Sequence, residues 1–129
     1  MGKLECVGID VSAKSLAVAS RGQSGHIHVR EIANTPAGHK TLCKGLGKGP
    51  TRVCLEATGI YHLDLALALH RAASVEVMVA NPRAVHDFAG ALMTRGKTDA
   101  SDAEVLLAFA ERMPRPTWRP PSSTCFELR

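Results

Sequence analysis

A chain of 129 residues is long enough to bury one hydrophobic core and too short for two ordinary domains. Its 16 basic residues against 12 acidic ones leave a net charge of +4, a mild excess that permits a polyanionic partner such as nucleic acid without requiring one. The four cysteines show no C-x-x-C spacing, no apolar run is long enough to span a bilayer, and Met1 to Val7 lacks the pattern of a signal peptide. A secreted disulfide scaffold and a membrane protein are therefore not expected, and the chain reads as cytoplasmic with reduced thiols.

Leu4 to Val11 predicts a strand: Val7, Ile9 and Val11 share one face, and Gly8, Asp10 and Ser12 the other. Leu16 to Ser20 should pair back on it as a hairpin. After a turn at Gly22 to Gly25, His26 to Ile32 alternates Ile27 and Val29 against His26, His28 and Arg30, which predicts a half-exposed third strand. Thr35 and Pro36 are an N-cap and a first helical residue, and Gly45, Gly47 and Gly49 should close that helix. Arg52 to Glu56 follows as a fourth strand.

Leu63 to Leu69 is a strongly apolar helix, and Val75 to Ala80 is a fifth strand stopped by Asn81 and Pro82. Val85, Phe88, Ala89 and Leu92 recur at helical spacing in a third helix, whose pattern loosens from Gly90 to Lys97. A last helix should begin near Asp99 and end before Pro114. The order βββαβαβαα implies an α/β domain with a mixed sheet, the later strands entering through helical crossovers. Residues 1–113 form this domain in our reading. Residues 114–129 form a proline-rich linker and the start of a further region, since Pro114 to Pro121 carries four prolines in eight residues.

Four carboxylates stand out: Asp10 and Glu56 at strand ends, and Asp99 and Asp102 on one predicted helix face. Three of them have an ordinary explanation. Asp10 could end its strand by bonding its own backbone. The segment Thr98 to Glu104 is what a helix N-terminus looks like, with Ser101 and Glu104 matching a capping box. Against this, Asp99 and Asp102 extend the apolar stripe of Ala103, Leu106, Leu107 and Ala110. Inward-facing carboxylates about 5–6 Å apart at Cβ repel unless a cation lies between them. Glu56, directly after Val53 to Leu55 in a central strand, is hard to bury without a partner. The simplest single account of all four is convergence at one sheet edge, holding one or two Mg²⁺ or Mn²⁺ ions for phosphodiester chemistry.

Weaker signals surround these acids. His26 and His28 fall on one strand face without further zinc-type ligands, so solvated histidines are expected. Thr58 could offer a hydroxyl to a phosphate or act as an ordinary N-cap. Lys14, Arg95 and Lys97 lie near the acids in sequence and would contact phosphates if the acids act on nucleic acid. An aromatic content of 4% argues against base stacking as the main binding mode. No serine is placed as a nucleophile: Ser12 and Ser101 suit a turn and a cap, and Ser122 and Ser123 follow the prolines.

Gly8 to Ser12 (GIDVS), Leu55 to Gly59 (LEATG) with Tyr61, Val79 to Pro82 (VANP) and Lys97 to Ala103 (KTDASDA) resemble, in order and spacing, the N-terminal DEDD domain of insertion-sequence-110 type transposases. The resemblance runs from about Gly8 to Pro121. It implies a RuvC-type, RNase H-like fold in which Asp10, Glu56, Asp99 and Asp102 bind divalent metal for DNA cleavage and strand transfer in a bacterial or archaeal cell. It further implies DNA as partner, for some members a structured guide RNA, a homo-oligomer in the full-length form, and a C-terminal domain with a nucleophilic serine. That domain is expected to be missing from a chain that ends at Arg129.

Three alternatives compete with this reading. An actin-like sugar kinase also opens with a strand ending in Gly-Ile-Asp, but it needs Gly-rich turns where Val11 to Lys14 stands. DEDD exonucleases pair two acids one residue apart on the first strand, and Ser12 is not acidic. A catalytically silent remnant that binds DNA or a full-length transposase is the non-enzymatic alternative.

Overall fold

The computed structural model describes residues 5–22, 25–46, 50–57, 60–72, 74–94 and 101–113. Among the described residues five strands and four helices follow one another in the expected order: β1 Glu5–Val11, β2 Ser15–Arg21, β3 Ile27–Ala33, α1 Pro36–Gly45, β4 Thr51–Glu56, α2 Leu63–Arg71, β5 Val75–Ala80, α3 Pro82–Thr94 and α4 Asp102–Arg112. The expected linker from Pro114 onward lies outside the described residues, as do Gly47 and Gly49.

The strands form one mixed sheet in the order β3-β2-β1-β4-β5. β1, β2 and β3 are an antiparallel meander, whereas β4 and β5 join parallel to β1 after the crossovers through α1 and α2. Strand alternation then sends neighbouring residues to opposite layers. Val7, Ile9, Val11, Leu16, Val18, Val53, Leu55 and Val77 pack against Leu42 of α1 and Leu65, Ala66 and Leu69 of α2. On the other face, Cys54, Met78 and Ala80 meet Val85 of α3 and Val105, Leu106, Phe109 and Ala110 of α4. Ala19 meets Ala103 and Leu107 there. Each leucine buried in these layers contributes about 2 kcal/mol by area.

Local chemistry sets the helix ends. The Thr35 side chain accepts the Gly38 N–H at 3.0 Å and Pro36 opens α1, as the sequence predicts. Asn81 Oδ1 accepts the Arg83 N–H at 2.8 Å, so the residue that stops β5 also starts α3. Ser101 is the extended N-cap of α4, in a complete capping box with Glu104.

Three expectations need correction. α4 begins at Asp102, not near Asp99, because Ser101 takes the cap position and is extended. α2 begins behind His62, so Thr58 is not its N-cap. β3 is exposed over most of its length rather than half-buried, with Val29 at 47% exposure. It is the edge strand, and what reaches it is Ile27 on one face and Ile32 on the other. Among the described residues no helix is long and apolar enough to cross a membrane.

Candidate functional site

Asp10 and Glu56 come together through sheet register. Ile9 pairs with Leu55 across the parallel β1–β4 ladder, so the next residue on each strand is an acid, and alternation sends both carboxylates to the α3/α4 side. Asp102 is delivered to the same place by α4, whose docking depends on Gly8. A Cβ at Gly8 would fall on the backbone of Leu107, Ala103 and Leu106. The missing side chain therefore lets the helix backbone lie directly on β1, one turn from Asp102 and two residues from Asp10.

The far end of α4 is also fixed. Arg21 pairs with Glu111, Nε to Oε2 at 2.7 Å. Arg52 pairs with Glu76 at 2.9 Å and donates from Nη1 to the Ala110 carbonyl at 3.3 Å. A cation beside the last carbonyls complements the helix dipole. The capping box leaves the carboxylate of Asp102, the first helical residue, without a capping duty, since Ser101 and Glu104 carry both bonds of the box.

Electrostatics tie the three acids into one group. Burial raises the Asp10 pKa above the ordinary carboxylate range, and the charge of Asp102 raises it further. Burial likewise raises Glu56, with Asp102 and then Asp10 adding to the effect. Asp10 and Glu56 thus resist ionisation through burial first and neighbouring negative charge second, which is the condition a dication relieves. Hard carboxylate oxygens are also the donor type that Mg²⁺ and Mn²⁺ take. Among the described residues, no three His, Cys, Asp or Glu side chains stand close enough to ligate a single ion. Asp99, the fourth acid of the expected set, lies outside them.

A cavity of 220 Å³ opens beside the acids, lined by Glu56 and Asp102 together with Pro82, Val85, His86 and Ala89 of α3 and Val105 of α4. Of the expected nucleic-acid contacts, Lys14 is exposed in the β1–β2 turn, at the end of the sheet where β1 finishes after Asp10. Thr58, Arg95 and Lys97 lie outside the described residues. His26 and His28 are both exposed. Ser12 Oγ is engaged with Ser15, and Cys54, whose thiol burial pushes up to about 12, is no nucleophile at neutral pH.

Three residues near the site escaped the sequence. His86 lines the cavity, and its place in the polar part of the α3 pattern carries no chemical signature. Asn34 hydrogen-bonds the loops that flank the acids and was hidden as an ordinary residue before a helix start. Gly8 was assigned to the acidic face without a role, although an isolated glycine inside a strand signals close backbone approach.

A family model for insertion-sequence-110 type DEDD transposases, described as "Transposase", matches residues 7–129. Among solved structures, RuvC from T. thermophilus in complex with a Holliday junction substrate is similar at a TM-score of 0.58 and 20% identity, covering 86% of this chain and 96% of that one. A structure of Thermus thermophilus RuvC alone gives 0.53 and 20% identity, covering 85% and 96%. No curated protein matches the chain significantly. The sheet and its flanking helices thus have the RNase H-like fold of RuvC.

Proposed function

Because the chain belongs to the DEDD transposase family of the insertion-sequence-110 type, we propose that it is the catalytic domain for divalent-metal-dependent cleavage and transfer of DNA strands during transposition. Asp10, Glu56 and Asp102, with Asp99, would hold Mg²⁺ or Mn²⁺. When bound, the metal supplies charge stabilisation at the reacting phosphate. The observation that carries this reading is the convergence of three acids from two strands and one helix: Asp10 and Glu56 follow paired residues of β1 and β4, Glu56 and Asp102 line one cavity, and the charge of Asp102 adds to the burial that raises the pKa of the other two.

The remaining tasks fall to the chain's own residues. Glu56 and Asp102 line the cavity beside the acids, and Lys14, Thr58, Arg95 and Lys97 contact the DNA backbone. A phosphate seated among carboxylates needs cationic side chains at the rim to offset its charge, and such contacts position the strand without reading its sequence. Residues 1–113 are the catalytic domain, and 114–129 lead toward a C-terminal region carrying the nucleophilic serine. The DNA is branched or paired like the junction bound by the T. thermophilus neighbour. A structured RNA and further copies of the chain take part in the full assembly, in the cytoplasm of a bacterial or archaeal cell.

The test uses purified protein, a labelled four-way DNA junction, and Mg²⁺ or Mn²⁺ at millimolar concentration. Metal-dependent nicking abolished in Asp10→Asn, Glu56→Gln and Asp102→Asn, each still binding the junction, is the expected result. Binding without cleavage by the wild type, in both metals, identifies instead a silent DNA-binding remnant. Recombination that survives change of all these acids to Ala would refute the assignment.

A further inference from the structure

One side chain joins three segments at the end of the sheet where the acids sit. Asn34 stands between β3 and α1. Its Nδ2 donates to the Ser12 carbonyl at 2.8 Å and to the Tyr61 carbonyl at 3.3 Å. Its backbone N–H donates to the Lys14 carbonyl at 3.0 Å. Ser12 lies two residues beyond Asp10 and Tyr61 five beyond Glu56, so one amide group spans the turn after the first acid and the loop after the second.

The amide is itself held. Its Oδ1 lies 2.7 Å from His39 Nε2. Since Nδ2 faces two carbonyls, Oδ1 must be the acceptor here, which requires the tautomer with its proton on Nε2. His39 is 5% exposed, and burial lowers its pKa against a smaller opposing effect of Asp64, so the neutral ring is favoured. α1 in turn sits tightly on the end of β3: a Cβ at Gly38 would fall on the Ala33 carbonyl.

We propose that Asn34, oriented by His39, is a positioning residue for the acidic site, holding the β1–β2 turn and the loop after β4 at a fixed separation so that Asp10 and Glu56 act on one phosphate. This rests on the function proposed above. A side chain that bridges two loops costs little to retain and removes the freedom that each would otherwise have relative to the other. Neither Asn34 nor His39 is placed among the acids, so their effect is on geometry and not on chemistry.

The test compares Asn34→Asp, Asn34→Ala, His39→Gln and His39→Phe with the wild type. Aspartate keeps the shape of asparagine and turns both donors into an acceptor facing two carbonyls, so it should be worse than alanine. His39→Gln keeps an N–H donor and should rescue most of what His39→Phe loses. In Asn34→Asp, amide hydrogen exchange at residues 12–14 and 60–62 should quicken at least 10-fold with α3 unchanged. The Mn²⁺-induced rise in Tm should fall by more than half. Cleavage of the four-way junction should lose at least 10-fold in kcat with KM within 2-fold. Exchange and kcat equal to wild type in Asn34→Asp overturn this proposal alone. A wild type that neither cleaves nor gains thermal stability with Mn²⁺ overturns it together with the function it rests on.

Discussion

Alternate residues of the same strands build two unlike faces. Under α1 and α2 the sheet presents Val7, Ile9, Val11, Val53, Leu55 and Val77, each at 8% exposure or less, a layer closed by branched side chains. Under α3 and α4 the intervening positions are Gly8, Asp10, Cys54, Glu56 and Met78. There the packing uses an absent side chain, sulfur atoms and short residues to draw a helix backbone onto the strand, and the rows end in acids. The stable face can be filled by almost any well-packed set of aliphatic groups of the right volume. The other face trades part of that packing for three carboxylates, and the fold opposes the ionisation of two of them, Asp10 and Glu56.

Ile9 and Asp10, neighbours on β1 with opposite faces, give the sharpest test. Asp10→Asn should lower metal-dependent DNA cleavage by about 1000-fold or more, roughly 4 kcal/mol of barrier, with an unchanged circular dichroism spectrum. Ile9→Val should cost about 1 kcal/mol of stability and leave the rate per folded molecule as it was. Equal losses of activity in both variants, measured at matched folded fractions, would dissolve the division between the faces.

Gly8→Val probes how closely α4 must approach. The new side chain meets helix backbone and not the flexible end of a neighbour, so α4 must move. The expected loss is about 3 kcal/mol by denaturant unfolding. Asp102 moves with its helix, so cleavage should fall further than the folded fraction explains. Full activity in folded Gly8→Val would separate the position of α4 from that of the acids.

Much of this comparison was legible in the sequence, for physical reasons that also mark where legibility stopped. Period-two alternation in Val7 to Val11 assigned Asp10 to the face opposite Ile9, and the order of elements followed from capping and turn residues such as Thr35, Pro36, Asn81 and Ser101. Motif order in GIDVS, LEATG and KTDASDA gave the family that the match over residues 7–129 establishes. The start of α4 is ambiguous in the sequence because acids suit both the first turn and the residues before a cap. The exposure of β3 is not legible because alternation describes which face a residue takes and not whether anything covers that face. Asn34 was invisible for a different reason: its partners are main-chain carbonyls of distant loops, and backbone acceptors leave no trace in residue types.

The smallest expected effect concerns the metal-free protein and has an unusual sign. The folded pKa values of Asp10 and Glu56 are raised, Asp10 from an ordinary 3.8 and Glu56 from 4.5. The folded state therefore holds these protons more firmly than the unfolded chain. Their contribution to stability is fully present below the unfolded carboxylate pKa and is lost as pH rises through the raised folded values. At neutral pH the ionised cluster is a burden that Asp10→Asn removes. Solvent reaches these half-buried groups and screens the effect to about 0.5 kcal/mol, or about 2–3 °C in Tm for a domain of this size. Thermal melts in chelator should show the variant above the wild type at pH 7, with the gap narrowing as pH falls toward 4 and protons return to the cluster. Millimolar Mn²⁺ should reverse the order at pH 7, because binding to the folded state alone stabilises by mass action and the asparagine offers a poorer ligand. A gap that persists unchanged at pH 4, or an order that Mn²⁺ leaves as it was, would mean that Asp10 gains from asparagine through local packing, and that the acidic face is not an ion site held under strain.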